Sequence, residues 1–191
     1  MAANLRTTTA KRPNPLRAAL AMMINPAAVL QKRVARVPWP FSLSVSALAF
    51  LLFFMQTGLD LLRTGQKGAG FVVLLSVEGL LFGSLGIALL AGIAWAITRI
   101  FKGDKPLGWA VSAFGLGYCS TLIFTVLGLL FSLLLHWNTS VAFGVSGVLW
   151  ATGPMIASIK QMSRDNTALS VIVATVCSGL LLLGWVLLGN A

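Results

Sequence analysis

No Lys, Arg, Asp or Glu occurs from Pro106 to Ile159, a run of 54 residues. A soluble globule must clothe its surface, and about a quarter of its residues are normally charged. A helix needs about 20 apolar residues to cross the ~30 Å hydrocarbon layer of a bilayer. The run therefore holds two crossings, with His136-Trp137-Asn138-Thr139-Ser140 as the turn between them. Formal charge is also missing between Arg36 and Asp60, from Gly79 to Thr98, and from Asn166 onward. Across all 191 residues, 58% are hydrophobic and 9% charged. That balance excludes an ordinary water-soluble enzyme. It also excludes a disordered chain, which needs low hydrophobicity.

These runs predict five spans, at about 41–59, 71–97, 109–135, 141–159 and 168–188. The second and third are long enough to tilt, or to begin as interfacial helix. Backbone groups must be satisfied inside lipid, so each span is expected to be a helix. No period-2 alternation suggests a barrel. Asp104-Lys105-Pro106 offers a cap and an early-helix proline before the third span. Asp165-Asn166-Thr167 offers capping oxygens before the fifth. The expected fold is an all-α polytopic integral membrane protein, with five transmembrane helices preceded by a basic amphipathic N-terminal helix. Residues 1–23 read as a basic flexible segment and 24–191 as the five-span domain.

Cations set the expected orientation, because cytoplasmic flanks retain Lys and Arg. Arg6, Lys11, Arg12, Arg17, Lys32, Arg33 and Arg36 precede the first span. Arg99, Lys102, Lys105, Lys160 and Arg164 fall in the second and fourth loops, and only Arg63 and Lys67 fall on the opposite side. This predicts a cytoplasmic N-terminus and an outer C-terminus, in a bacterial inner membrane or alternatively an organelle membrane.

Within the basic segment, Asn25-Pro26 can cap and start a helix. Leu30, Val34 and Val37 then share one face, while Lys32, Arg33 and Arg36 occupy much of the remainder. Such a helix lies on an anionic lipid surface, gaining about 1 kcal/mol per nearby cation. Trp39, between Pro38 and Pro40, is an interfacial anchor. The simpler alternative is that the charge only fixes topology. A targeting peptide would share the lack of acids and the Thr7-Thr8-Thr9 run. Nucleic-acid binding has no support beyond charge.

Few residues could carry chemistry. The chain has one histidine, His136, and no metalloprotease, phosphate-loop, nucleophile-elbow or paired-cysteine motif. Glu78 is the only carboxylate within a predicted span, and so a candidate proton or cation site. The competing reading puts it at the outer interface, paired with Arg63 or Lys67. Tyr118, Ser120, Thr121 and Thr125 make a polar cluster that reads as glue between helices or as a ligand contact. Asp60, Glu78 and His136 share the outer half without a diagnostic metal spacing, and no cofactor is implied. Cys119 and Cys177 lie at similar depth and read as buried small apolar groups. Gly79 and Gly83 open a small-residue stripe, continued by Ser84, Ala88, Gly92 and Ala96. It serves packing within the chain or a homo-oligomer. Pro154 is expected to kink the fourth span.

The order of features resembles the Yip (Ypt-interacting-protein) family of five-span membrane proteins, in its bacterial branch. Ile24-Asn25-Pro26-Ala27-Ala28-Val29-Leu30 looks like the family's NP helix, and Leu116-Gly117-Tyr118-Cys119-Ser120 like its GY motif. The acidic element of the eukaryotic members is missing, as is a proline often found near Leu122, so the resemblance does not extend to Rab-GTPase binding. It implies a non-enzymatic scaffold or adaptor in membrane organisation or trafficking, with Asn25, Pro26, Gly117 and Tyr118 as motif residues. The alternative is a small transporter or channel component that uses Glu78, Tyr118 and Pro154. Anionic lipid on the N-terminal side and other membrane proteins, including a second copy, are the expected partners.

Overall fold

A computed structural model describes residues 14–189. Asn14 starts the first helix, α1 (Pro15–Ile24), by accepting a hydrogen bond from the Leu16 amide at 3.0 Å. Asn25 then serves two helices. Its own amide closes the last turn of α1 on Ala21, and its side chain caps α2 (Pro26–Lys32) through the Ala28 amide at 3.1 Å. A turn of 3₁₀ helix, Val34–Arg36, follows. Thus 15–24 are helical, where the sequence suggests a flexible segment; Ala18, Ala19 and Met22 are buried. Residues 1–13, with Arg6, Lys11 and Arg12, lie outside the described part.

Among the described residues, five helices are long and apolar enough to cross a membrane: Trp39–Arg63, Ala69–Ile100, Leu107–Leu135, Ser140–Met162 and Thr167–Gly189. They agree with the expected spans, and Asn166 caps the fifth through the Leu169 amide at 3.1 Å. Asp104 does not cap the third; Pro106 itself holds the capping position in extended conformation. The first span is one helix, α3 (Trp39–Arg63). The second divides into α4 (Ala69–Leu81) and α5 (Ile87–Ile100) around a π-helical turn, Phe82–Gly86. The third divides at Tyr118 into α6 (Leu107–Gly117) and α7 (Cys119–Leu135). The fourth opens with π-helix at Ser140–Val145 before α8 (Ser146–Met162), and α9 (Thr167–Gly189) is the fifth.

The first span is the hub. Its most apolar stretch is 61% buried, against 22% for the second span. Ser42, Ser46, Phe50, Phe53, Phe54 and Gln56 on it are all fully buried. Small residues let the other helices reach it, as expected where lipid supplies no hydrophobic drive between helices. Cβ atoms at Gly79 and Gly83 would collide with the backbone carbonyls of Phe50 and Ser46, and one at Gly115 with that of Ser42. The Ser46 hydroxyl donates to the Gly83 carbonyl at 2.7 Å across the same contact.

The small-residue stripe is only partly used. Leu75, Gly79, Gly83, Ile87 and Ala91 are the buried row of the second span, while Ser84, Ala88 and Gly92 are half-buried beside it. A strict spacing of four drifts around an ordinary helix of 3.6 residues per turn. The π turn takes up the drift and keeps 79, 83, 87 and 91 on one side. A Cβ at Gly92 would meet no described atom within 4 Å.

Candidate functional site

Polar side chains gather at three levels of the bundle. At the far end, Asp60 and Arg63 stand one turn apart on α3. An Asp60 carboxylate oxygen accepts hydrogen bonds from the backbone amides of Thr139 and Ser140, at 2.9 and 2.8 Å. Arg63 donates to the Ser132 hydroxyl and the Trp137 carbonyl, both at 2.7 Å, and to the Ser132 carbonyl at 2.6 Å. The two side chains approach each other at 3.6 Å. An acid therefore sits at the start of the fourth span and a base at the end of α7, the arrangement helix dipoles favour. One turn of α3 clamps the whole 136–140 connection. His136 ends α7 in the left-handed conformation (φ 58). Nearby, the Trp185 indole stacks on Phe53 at 5.0 Å and donates to the Thr57 hydroxyl at 2.9 Å, fixing the fifth span.

At mid-depth, Gln56 reaches across to the Thr125 carbonyl at 2.5 Å, and Thr121 donates to the Gly147 carbonyl at 2.8 Å. The Tyr118 ring lies against Phe50 at 5.2 Å, at the break between α6 and α7. Its hydroxyl is buried with no hydrogen-bond partner among the described residues, as are Ser120 Oγ and one oxygen each of Gln56 and Glu78. Gly117 faces Pro154: a Cβ there would sit 3.5 Å from the proline ring. Both motif pairs quoted for the Yip resemblance thus fall at helix junctions, Asn25-Pro26 between α1 and α2 and Gly117-Tyr118 between α6 and α7. Cys119 and Cys177 are buried free thiols.

Glu78 is half-buried, one residue from Gly79, which touches Phe50 and Phe54 near the middle of α3. Glu78 thus lies level with the middle of the first span, and the expected Arg63 pairing is not formed: Arg63 is committed to Asp60, Ser132 and Trp137. The expected polar site of Glu78, Tyr118 and Thr121 is not joined by hydrogen bonds: the Tyr118 hydroxyl has no such partner and Thr121 is spent on Gly147. No group of three or more His, Cys, Asp or Glu converges among the described residues.

At the N-terminal end, the basic segment lies on the bundle. Val29, Leu30, Val34 and Val37 are buried in the protein, while Lys32, Arg33, Arg36 and Trp39 are exposed. The Gln161 side chain donates to the Ala27 carbonyl at 3.3 Å. The expected single amphipathic helix is instead α2 plus a 3₁₀ turn, and its apolar side covers helix ends, not lipid. Arg99, Lys102, Lys105, Lys160 and Arg164 are at the same end by alternation of the spans. Comparison with protein-family models, curated proteins and solved structures finds no match.

Sequence reading overlooked Gln56, the Asp60–Arg63 clamp and Trp185. A signal for the clamp was present: two opposite charges three residues apart close the first span, and the turn after the third span has no charge of its own.

Proposed function

We propose that the chain is a non-enzymatic scaffold or adaptor of the bacterial inner membrane, with its N-terminal end in the cytoplasm, as the resemblance to the Yip family implies. The observation that supports this best is the docked basic segment. Its apolar side chains are consumed by the bundle, so Lys32, Arg33 and Arg36 form a fixed cationic face beside the span ends. A face of this kind attracts an anionic leaflet at about 1 kcal/mol per cation. Polar groups deeper in the bundle, such as Gln56 and Thr121, are spent on contacts between helices.

One observation favours the transporter alternative. The unpartnered Tyr118 hydroxyl stands at a helix break, and its neighbour Gly117 packs on Pro154. Reconstitution separates the readings. A scaffold keeps its fold and shows no ion- or proton-coupled flux in proteoliposomes, with or without Glu78→Gln and Tyr118→Phe. Flux that either substitution abolishes would overturn the scaffold reading. Orientation is tested separately by a reporter fused after Ala191, which should be active only outside the cytoplasm.

A further inference from the structure

Beneath the basic segment lies a cavity of about 550 Å³. Its roof is α2 and the 3₁₀ turn, and its walls are the first residues of α3 and α6 and the last turn of α8. Gln31, Trp39, Lys105, Gly108, Trp109 and Gln161 line it. The size is that of a site for a small ligand, which typically measures ~300–1,000 Å³. The position matters more. Trp39 and Pro106 mark where two spans leave their apolar stretch, so the cavity opens at the depth of lipid headgroups.

The lining combines aromatic and apolar walls with amide groups and one cation. Lys105 is the charged group in the wall. Its nearest anion, Asp104 at 3.8 Å, is two-thirds exposed and outside the lining. Arg36 lies between two lining residues, Ala35 and Val37, and is itself exposed. Lys32, Arg33, Arg99, Lys102, Lys160 and Arg164 surround the same end, against Asp104 and Asp165. The local potential is therefore positive, and basic pockets between transmembrane helices suit phosphorylated lipid heads.

We infer that this cavity seats the phosphate headgroup of one anionic phospholipid drawn from the adjoining leaflet. Lys105 meets the phosphate charge, the two Trp side chains flank the glycerol region, and the acyl chains remain in the bilayer. The inference rests on reading this end as the lipid-facing side, but the cavity is separate from the exposed cationic face formed by Lys32, Arg33 and Arg36.

Delipidated full-length protein in a neutral detergent tests it. Phosphatidylglycerol or phosphatidylcholine is titrated in, and retained lipid is counted by native mass spectrometry alongside thermal unfolding. Wild type should retain one phosphatidylglycerol saturably, with at least tenfold preference over phosphatidylcholine. Gly108→Phe should lower that affinity at least tenfold. Gly108 lines the cavity, and a Cβ there meets no described atom within 4 Å, so the added ring is tolerated at its base. Lys105→Gln should lower it about as much and leaves intact the backbone carbonyl that holds the Trp95 indole. The triple variant Lys32→Gln, Arg33→Gln, Arg36→Gln should keep the saturable lipid while losing attraction to anionic vesicles. Equal retention of both lipids, unchanged affinity in both cavity variants, or equal protection by millimolar inorganic phosphate would overturn the inference. Vesicle attraction that survives the triple variant would instead remove the cationic-face reading and leave the cavity standing.

Discussion

Replacing Asp60 with Ala tests the far-end clamp. The substitution removes one acceptor from two backbone amides, those of Thr139 and Ser140, residues that are 1% and 6% exposed. It also leaves Arg63, at 3.6 Å, without its counter-ion. Hydrogen bonds between membrane helices average about 0.6 kcal/mol each, because the unfolded chain in a membrane finds other partners, so two bonds give a lower bound of about 1.2 kcal/mol. Breaking a fully buried ion pair costs about 3–5 kcal/mol, an upper bound here. The pair is 22% and 12% exposed, which places the expected loss between the bounds, at about 2–3 kcal/mol. Asp60→Asn keeps an acceptor but no charge, and should lose about 1 kcal/mol. Equilibrium unfolding in mixed micelles, followed by tryptophan fluorescence, measures both. Asp104→Ala is the control, since its exposed pair with Lys105 should contribute under about 0.5 kcal/mol. An Asp60→Ala loss no larger than the control's would refute the clamp.

The remaining predictions concern packing. Gly83→Leu should destabilise by at least about 2 kcal/mol in the same unfolding assay, because its side chain must displace the Ser46 carbonyl and Phe50. Gly92→Leu should stay within about 0.5 kcal/mol of wild type, since the site is open; a change in molecular mass on size exclusion would show instead that a second copy uses that flank. Trp185→Phe should keep the stack on Phe53 but lose the bond to Thr57, for about 0.6 kcal/mol, and a double-mutant cycle with Thr57→Ala should return a coupling energy of about that size. Gln56→Leu should be near neutral or stabilising on thermal unfolding, because it removes a bond to Thr125 together with a buried oxygen that has no hydrogen-bond partner.

The spans were legible because the bilayer imposes a length and forbids charge, and both constraints act residue by residue. Asn25-Pro26 and Asn166 were legible for a similar reason: a cap is decided within three residues. What escaped was set by partners distant in the chain. Gln56 looks like any polar residue in an apolar run until Thr125 is beside it. The interruption at Tyr118 leaves no proline as a marker. The stripe from Gly79 to Gly92 was visible, but not its division, because a π turn shifts register without a distinctive residue. In the basic segment Lys32, Arg33 and Arg36 are exposed, but the apolar side is buried in the protein, an outcome the sequence left open because Leu30, Val34 and Val37 could equally meet lipid or protein.

The hub position of the first span also has a temporal side. Gln56, Arg63 and Asp60 bind groups that lie 69, 69 and 79 residues further along the chain. During synthesis, α3 enters the bilayer before any of those groups exist. Until the third span and the 136–140 connection arrive, the Gln56 amide has no partner across the bundle, and Asp60 and Arg63 have only each other. A nascent chain halted before Thr125 would therefore hold one buried amide of α3 without its acceptor, while the charged pair stays at the end of the helix.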